Sequence, residues 1–292
     1  MILDDAGPAG RFSMKRFSVF VLSMLFLVLG PGRLFGQFTP EEIARRPEME
    51  QFLLTSDIVH SEPVGEGVTH PYRLTLRKGG REATAFWKNP RGMMNGYLEG
   101  WQYEIAAYRL DKLIGLDMVP VTVEREFNGK PGDLSLSADH THSLLQIDEL
   151  KIPIPAEAVP RVEKMKWLAR AWDSLVGNDD RTQQNVLYTE DWRMILIDHS
   201  RAFRSTGEFA KRLMYGADGI KKAADGHAFL FRRLPRRFYE RITALTFEAI
   251  RSAVGETLTD KEIRAVLVRR DLLVREIDAQ IRRTGAADVL YD

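Results

Sequence analysis

The chain contains no cysteine among its 292 residues. That absence excludes a disulfide framework, thiolate ligation of zinc or of an iron–sulfur cluster, and a cysteine nucleophile. It leaves the compartment open, because a chain without thiols survives in either redox environment. Charge of one sign is missing too: 42 Lys and Arg oppose 41 Asp and Glu, for a net charge of +1. Without a basic excess there is no overall field to hold nucleic acid, and there is no acidic tail. Residues 38–292 carry no internal repeat and no low-complexity linker. With 44% hydrophobic residues, 22 Gly and 13 Pro, the composition is that of a globular chain of one or two domains.

One uncharged apolar run is present. Phe17 to Gly30 reads FSVFVLSMLFLVLG, fourteen residues directly after Lys15 and Arg16. A basic start followed by a short apolar core is the pattern of a secretory signal, and Met14 offers an alternative start that would make it compact. As a helix the run would span only about 21 Å, short of a hydrocarbon core of roughly 30 Å. Residues 1–36 are therefore predicted to be a signal peptide. The alternative is an uncleaved anchor giving membrane association through residues 17–30. Either way the rest of the protein is predicted to be exported, periplasmic or secreted.

The remainder changes character along its length. Asp57 to Leu76 reads as an extended run interrupted by Gly65, Gly67 and Pro71. Arg77-Lys78-Gly79-Gly80 is a hairpin signal, followed by a strand over Ala83 to Lys88, ATAFWK. A helix is predicted from Leu98 to Ile114, with Ala106, Leu110 and Leu113 on one face and Gly115 as its left-handed cap. Val119 to Phe127 reads as a strand turned at Asn128-Gly129, and Asp133 to Ser137 continues it. Beyond that, Met165, Leu168, Trp172 and Leu175 form a helical stripe ending at Gly177. Val186 to Tyr188 and Met194 to Ile197 read as short strands around Glu190-Asp191. Two helices close the chain, over Phe238 to Val254 and Asp260 to Arg283, the last with a Thr259/Glu262 capping box. A strand-rich lobe followed by a helical lobe is an α+β arrangement, with the lobes over residues 37–137 and 138–292.

The chemistry concentrates in Gly177 to Phe203, GNDDRTQQNVLYTEDWRMILIDHSRAF. Asp180 stands just past the end of a helix, Asn185 five residues on, and Asp198 at the end of an apolar strand. Phosphoryl transfer needs a carboxylate to orient the acceptor hydroxyl and oxygen ligands for the cation that bridges the phosphates. An Asp-x-x-x-x-Asn loop, a hairpin and then an Asp leaving an apolar strand supply those groups in that order. Asp and Asn also favour turns for purely structural reasons.

This run resembles the protein-kinase-like superfamily, in its phosphatidylinositol 3-/4-kinase-like and secretory-kinase-like branches. The resemblance implies a bilobal fold that uses ATP with Mg2+ or Mn2+ to phosphorylate an acceptor hydroxyl on a protein, a lipid or a small molecule. It implies Asp180 as the catalytic carboxylate, with Asp179 as rival, and Asn185 and Asp198 as metal ligands. Thr182 stands where these lipid kinases usually carry His, and Asp198-His199-Ser200 replaces Asp-Phe-Gly, so switching by that Phe does not apply. In the first half the resemblance implies that Lys88 holds the phosphates, braced by Glu104 sixteen residues later, with Glu99 as the alternative partner. Gly65-Glu66-Gly67-Val68-Thr69 is the candidate phosphate-covering turn, a plain hairpin turn being the alternative. The adenine pocket would lie near Leu134 to Ser137. Asp139-His140-Thr141-His142 reads as a polar loop rather than a metal site. The rival functions are a non-catalytic nucleotide-binding pseudokinase and a nucleotidyl (AMP) transferase on the same fold.

Overall fold

A computed structural model describes residues 38–65, 69–229 and 231–292. The predicted signal segment, and Gly67 of the predicted phosphate turn, lie outside the described residues. Two short helices come first, α1 (Pro40–Ala44) and α2 (Arg46–Thr55). Thr39 and Glu42 cap α1 reciprocally: Thr39 Oγ1 accepts the Glu42 N–H at 3.2 Å, and Glu42 Oε2 accepts that of Thr39 at 2.6 Å. Next come β1 (Asp57–Pro63), β2 (Tyr72–Lys78) and β3 (Arg81–Lys88), then a separate hairpin of β4 (Arg91–Met94) and β5 (Tyr97–Gly100). Helix α3 (Trp101–Ile114) leads into β6 (Thr122–Phe127) and β7 (Lys130–Leu136). The five-stranded sheet runs β1-β2-β3-β7-β6, antiparallel throughout. Along β3 the pleat buries Ala85 and Trp87, while Phe86 and Lys88 line a cleft.

The second half is mainly helical. A small antiparallel sheet joins β8 (His142–Ser143) to β9 (Val186–Tyr188) and β10 (Met194–Leu196), with α4 (Leu144–Glu149) and α5 (Val159–Val176) between β8 and β9. After β11 (Leu234–Pro235) come α6 (Arg236–Thr243), α7 (Phe247–Val254), α8 (Asp260–Thr284), α9 (Ala286–Val289) and β12 (Leu290–Tyr291). Helix α5 buries Met165, Leu168, Trp172 and Leu175, the stripe its periodicity predicts. Helix α8 packs on α5, buries Ile263, Val266, Leu273 and Ile277, and carries the Thr259/Glu262 capping box. Strands first and helices after give the α+β, kinase-like bilobal arrangement.

Three boundaries differ from expectation, each for a local reason. Helix α3 starts at Trp101 rather than Leu98, because Tyr97 to Gly100 pairs with Arg91 to Met94. The strand expected from Val119 starts at Thr122, because the backbone N–H groups of Met118 and Val119 are taken by Asp111 Oδ2 at 2.7 and 3.0 Å. The single helix expected over Phe238 to Val254 is broken at Ala244 to Thr246, where Thr246 Oγ1 caps α7 through the Ala249 N–H at 3.1 Å.

The sheet is closely packed where it delivers Lys88. A Cβ added at Gly132 of β7 would lie 2.4 Å from the Lys88 carbonyl oxygen and 2.6 Å from Trp87 Cε2. Backbone is on one side and a buried indole on the other, so neither yields easily. Gly132→Ala is expected to destabilise the fold by about 1–3 kcal/mol, the usual cost of overpacking. Urea unfolding checks this; an unchanged midpoint would mean that β7 can move away from β3 freely.

Candidate functional site

The cleft between the sheet and the helical half has a volume of about 310 Å³. Phe86, Val119, Leu136, Leu187 and Leu196 give it apolar walls, and Lys88, Glu104, Asp198 and His199 lie along it. Ser135, Leu136 and Ser137 reach it as expected of an adenine-side wall, whereas Leu134 is fully buried in the core. Thr69 and Pro71, after the glycine turn, reach its mouth, and nothing crowds Gly65 within 4 Å.

Lys88 is the centre of the site. Its Nζ donates to Glu104 Oε1 at 2.5 Å and to Asp198 Oδ1 at 3.0 Å. Burial alone would pull the ammonium down, but the charges of Asp198 and Glu104 outweigh it and hold its pKa well above the ordinary value. The same balance applies to Glu104, where Lys88 overcomes the burial that would raise the carboxyl, so it stays ionised far below the usual range. Glu99 does not compete for Lys88. Its carboxylate accepts from Ser200 Oγ at 2.6 Å and from Arg201 Nε at 2.5 Å.

A third carboxyl belongs to this group, and sequence reasoning passed it over. Asp133 lies opposite Lys88 in the β3–β7 register and is fully buried, with Oδ1 unpartnered. Burial, reinforced by Glu104 and Asp198, pushes its pKa well up despite Lys88, so the acid is favoured in its neutral form. Its match with Lys88 runs across the long-range β3–β7 pairing, which leaves no local mark in the sequence.

The loop that carries Asp180 begins where α5 ends. Gly177 caps the helix at φ +64°, and a Cβ there would sit 2.9 Å from Arg269 Cζ, so only glycine fits. Asn178 Oδ1 accepts the Asp180 N–H at 3.1 Å, and the Asp180 carboxylate lies 3.3 Å from Arg201. Burial raises the Asp180 carboxyl, opposed by Arg201 and assisted by the charges of Asp198 and Asp179. Asp179 turns instead to Arg204 at 3.3 Å. Asn185 donates Nδ2 to the Asp180 carbonyl at 3.0 Å, which leaves its amide oxygen as the ligand atom it offers. Its carbonyl accepts the Ile197 N–H at 3.2 Å, so the loop and the segment bearing Asp198 are joined directly.

Arg181 fastens that junction from below. Its guanidinium forks onto Asp173 (Nε to Oδ2 at 3.1 Å, Nη2 to Oδ1 at 3.0 Å) and donates Nη1 to the carbonyls of Asn185 and Ile197 at 2.9 and 2.6 Å. His199 Nε2 takes two further donors, Arg181 Nη2 at 3.0 Å and Trp172 Nε1 at 3.1 Å. Burial lowers the His199 pKa, opposed by Glu104 and assisted by the Arg181 charge.

The donor set suits a hard divalent cation. Among the described residues no three His, Cys, Asp or Glu side chains converge as a self-sufficient metal cage. Asp198 and Asn185 offer a carboxylate and an amide oxygen, the small protein share expected of an ion completed by substrate phosphates. His140 sits on the cleft rim with Nδ1 against the Ala138 carbonyl at 2.8 Å, part of a polar loop.

No protein-family model matches the chain, and no curated protein matches it. Solved structures do. The Golgi casein kinase superposes with a TM-score of 0.58 at 14% identity, over 88% of this chain and 81% of its own. The Helicobacter pylori proinflammatory kinase CtkA aligns with a TM-score of 0.47 at 10% identity, over 79% of this chain and 96% of its own. The first likeness establishes a protein-kinase-like fold, in keeping with the resemblance read from Gly177 to Phe203.

Because Arg181 neutralises Asp173 while both are almost fully buried, its removal strands a carboxylate in the core. Arg181→Met is expected to cost about 3–5 kcal/mol. Arg181→Lys should rescue only part of this, since one ammonium cannot reproduce the fork. Denaturant midpoints of the two variants check it, and a loss below about 1 kcal/mol for Met would refute the role.

Proposed function

We propose that the chain is a phosphotransferase that uses ATP and Mg2+ or Mn2+ and passes the γ-phosphoryl group to an acceptor hydroxyl. The observation carrying this reading is the Lys88 ammonium, bonded at once to Glu104 and Asp198 inside the cleft. A lysine held there between two carboxylates matches the need for a fixed cation beside the phosphates. On this reading residues 37–137 and 138–292 are the two halves of the nucleotide site.

Roles follow from what each group can do. Lys88 binds the non-transferred phosphates, and Glu104 keeps its ammonium from swinging away. Asp198 and Asn185 hold the metal, which when bound neutralises phosphate charge. Asp180 orients the acceptor hydroxyl and takes its proton through the oxygen not facing Arg201. Asp179 is less suited, since its carboxylate is tied to Arg204 and is 19% exposed against 30% for Asp180.

Autophosphorylation followed by mass spectrometry tests the reading. A gain of one phosphate supports it, a gain of AMP indicates nucleotidyl transfer, and no modification by any acceptor indicates a non-catalytic binder. Asp180→Ala is expected to lower kcat by about 10² or more with little change in ATP affinity, while Lys88→Ala weakens both. Asp179→Ala should stay within roughly tenfold of the parent. Asp198→Asn should abolish the metal-dependent thermal shift produced by ATP. Equal transfer by the Asp180 and Asp179 variants and the parent would end the assignment.

We also propose export, on Lys15-Arg16 and the apolar run to Gly30. Among the described residues no helix is long and apolar enough to cross a membrane. A reporter active only outside the cytoplasm, fused after Gln37, is expected to work, and deleting Phe17 to Leu29 should silence it. Full activity of a cytoplasm-only reporter at the same position would overturn the proposal.

A further inference from the structure

His199 stands where α3, the end of α5 and the loop bearing Asp180 meet, and the proposed reaction gives it no task. It is fully buried. Its Nε2 faces two groups that can only donate, the Trp172 indole N–H at 3.1 Å and the Arg181 guanidinium at 3.0 Å. A nitrogen met by two such donors must present its lone pair, so the proton of the neutral ring lies on Nδ1. That Nδ1–H has no hydrogen-bond partner, although it is buried. Glu104 Oε2 lies 3.7 Å away, beyond hydrogen-bond range. The same oxygen already accepts the backbone N–H of His199 at 2.9 Å, and the other oxygen of that carboxylate holds Lys88.

A buried donor left open this close to a carboxylate costs free energy, and a shift of less than about 1 Å would close the contact. Closure would set the plane of the Glu104 carboxylate and hence the position of its Lys88 partner. At the other edge of the ring, Arg181 is bonded to Asp173 and to the carbonyls of Asn185, in the Asp180 loop, and Ile197, just before Asp198. The imidazole thus spans the loop bearing Asp180 and the helix bearing Glu104.

We propose that His199 is a positioning residue: a neutral Nδ1–H donor to Glu104 that ties the Arg181-held catalytic loop to the Lys88–Glu104 pair when nucleotide binds. The proposal rests on the phosphotransferase reading for its nucleotide, but the tautomer does not.

Two substitutions separate the two edges of the ring. His199→Gln keeps an acceptor for Trp172 and Arg181 and removes the donor facing Glu104. His199→Asn does the reverse. In the full chain, calorimetric titration with MgATP is expected to show affinity falling about five- to tenfold for His199→Gln, the range for losing one hydrogen bond to a charged group. In a Glu104→Gln background the same change should matter less than about twofold, because the amide keeps its one oxygen for Lys88 and offers His199 no charged acceptor. His199→Asn is expected to melt at a lower temperature yet keep MgATP affinity within about twofold of the parent, rescuing what Gln loses. Additive effects of His199→Gln and Glu104→Gln, or equal affinity losses for Gln and Asn, would reduce His199 to packing and overturn the proposal. Nitrogen-15 NMR of the unliganded chain reads the tautomer directly: Nδ1–H is expected, and an Nε2–H ring would overturn it whatever the titrations show. Should the parent fail to bind MgATP, the phosphotransferase reading falls, and this spectrum still decides the tautomer on which the inference depends.

Discussion

Everything in the cleft is arranged around one buried ammonium. Lys88 is surrounded by Glu104, Asp198 and Asp133, and its charge is what permits three carboxyl groups to share one enclosed volume. The balance is not complete. Glu104 stays ionised and Asp133 is pushed towards its neutral form, so the ammonium meets the carboxylates of Glu104 and Asp198, leaving a net negative pocket. If the chain binds nucleotide as proposed, a divalent cation would complement such a pocket, and the phosphates would offset the excess positive charge. Affinity for metal and nucleotide is on this view a single electrostatic requirement.

Two buried guanidinium groups hold the loop bearing Asp180 against that centre, in opposite ways. Arg181 is neutralised by Asp173 and fixes the loop to the segment that ends in Asp198. Arg269 has no carboxylate. It donates to the carbonyls of Leu175, Arg204 and Phe209 at 2.9, 2.6 and 2.8 Å, and burial brings its pKa down to about 9. Leu175 lies in the last turn of α5, where carbonyls have no helical partner and the helix end is negative, so a cation is favoured there. The left-handed Gly177 makes room for the guanidinium. Capping, loop placement and the α5–α8 contact are therefore one constraint.

How much of this could be read from the sequence depended on whether the signal was local. The hairpin at Gly79-Gly80, the α5 stripe and the α8 capping box are short-range patterns, and they appear where the residues place them. Lys88 and Glu104 were legible through their order along the chain, and the structure brings them together; Glu99 pairs elsewhere, with Arg201 and Ser200. Helices α1 and α2 went unread although Thr39-Pro40-Glu41-Glu42 is itself a capping-box pattern. Asp133 and His199 could not be read at all. Their importance lies in being buried beside particular partners, and a polar residue in a sequence carries no mark of burial. The start of β6 was hidden similarly, since it depends on Asp111 reaching seven and eight residues ahead to claim backbone N–H groups.

The segment from Asp198 to Phe203 shows how firmly the site is set. Both residues adopt left-handed backbone conformations, with φ of +58° and +60°. For residues with a Cβ that conformation costs about 1–2 kcal/mol each, and for a side chain as bulky as Phe it is a true outlier. Such strain persists only where surrounding contacts exceed it. Here they can be named: Phe203 is buried and donates its N–H to the Val176 carbonyl at 2.6 Å, and the Ser200 carbonyl accepts the Gly100 N–H at 2.9 Å. The His199 N–H is held by Glu104, and Ser200 Oγ lies between Glu99 and Asp198. The turn that aims the Asp198 carboxylate is thus pinned to the end of α5, the start of α3 and the helix residue that braces Lys88. Most other side chains would meet a higher backbone cost at position 198 and lose the contacts to Lys88 and Ser200 that offset it, so geometry as well as charge favours Asp there.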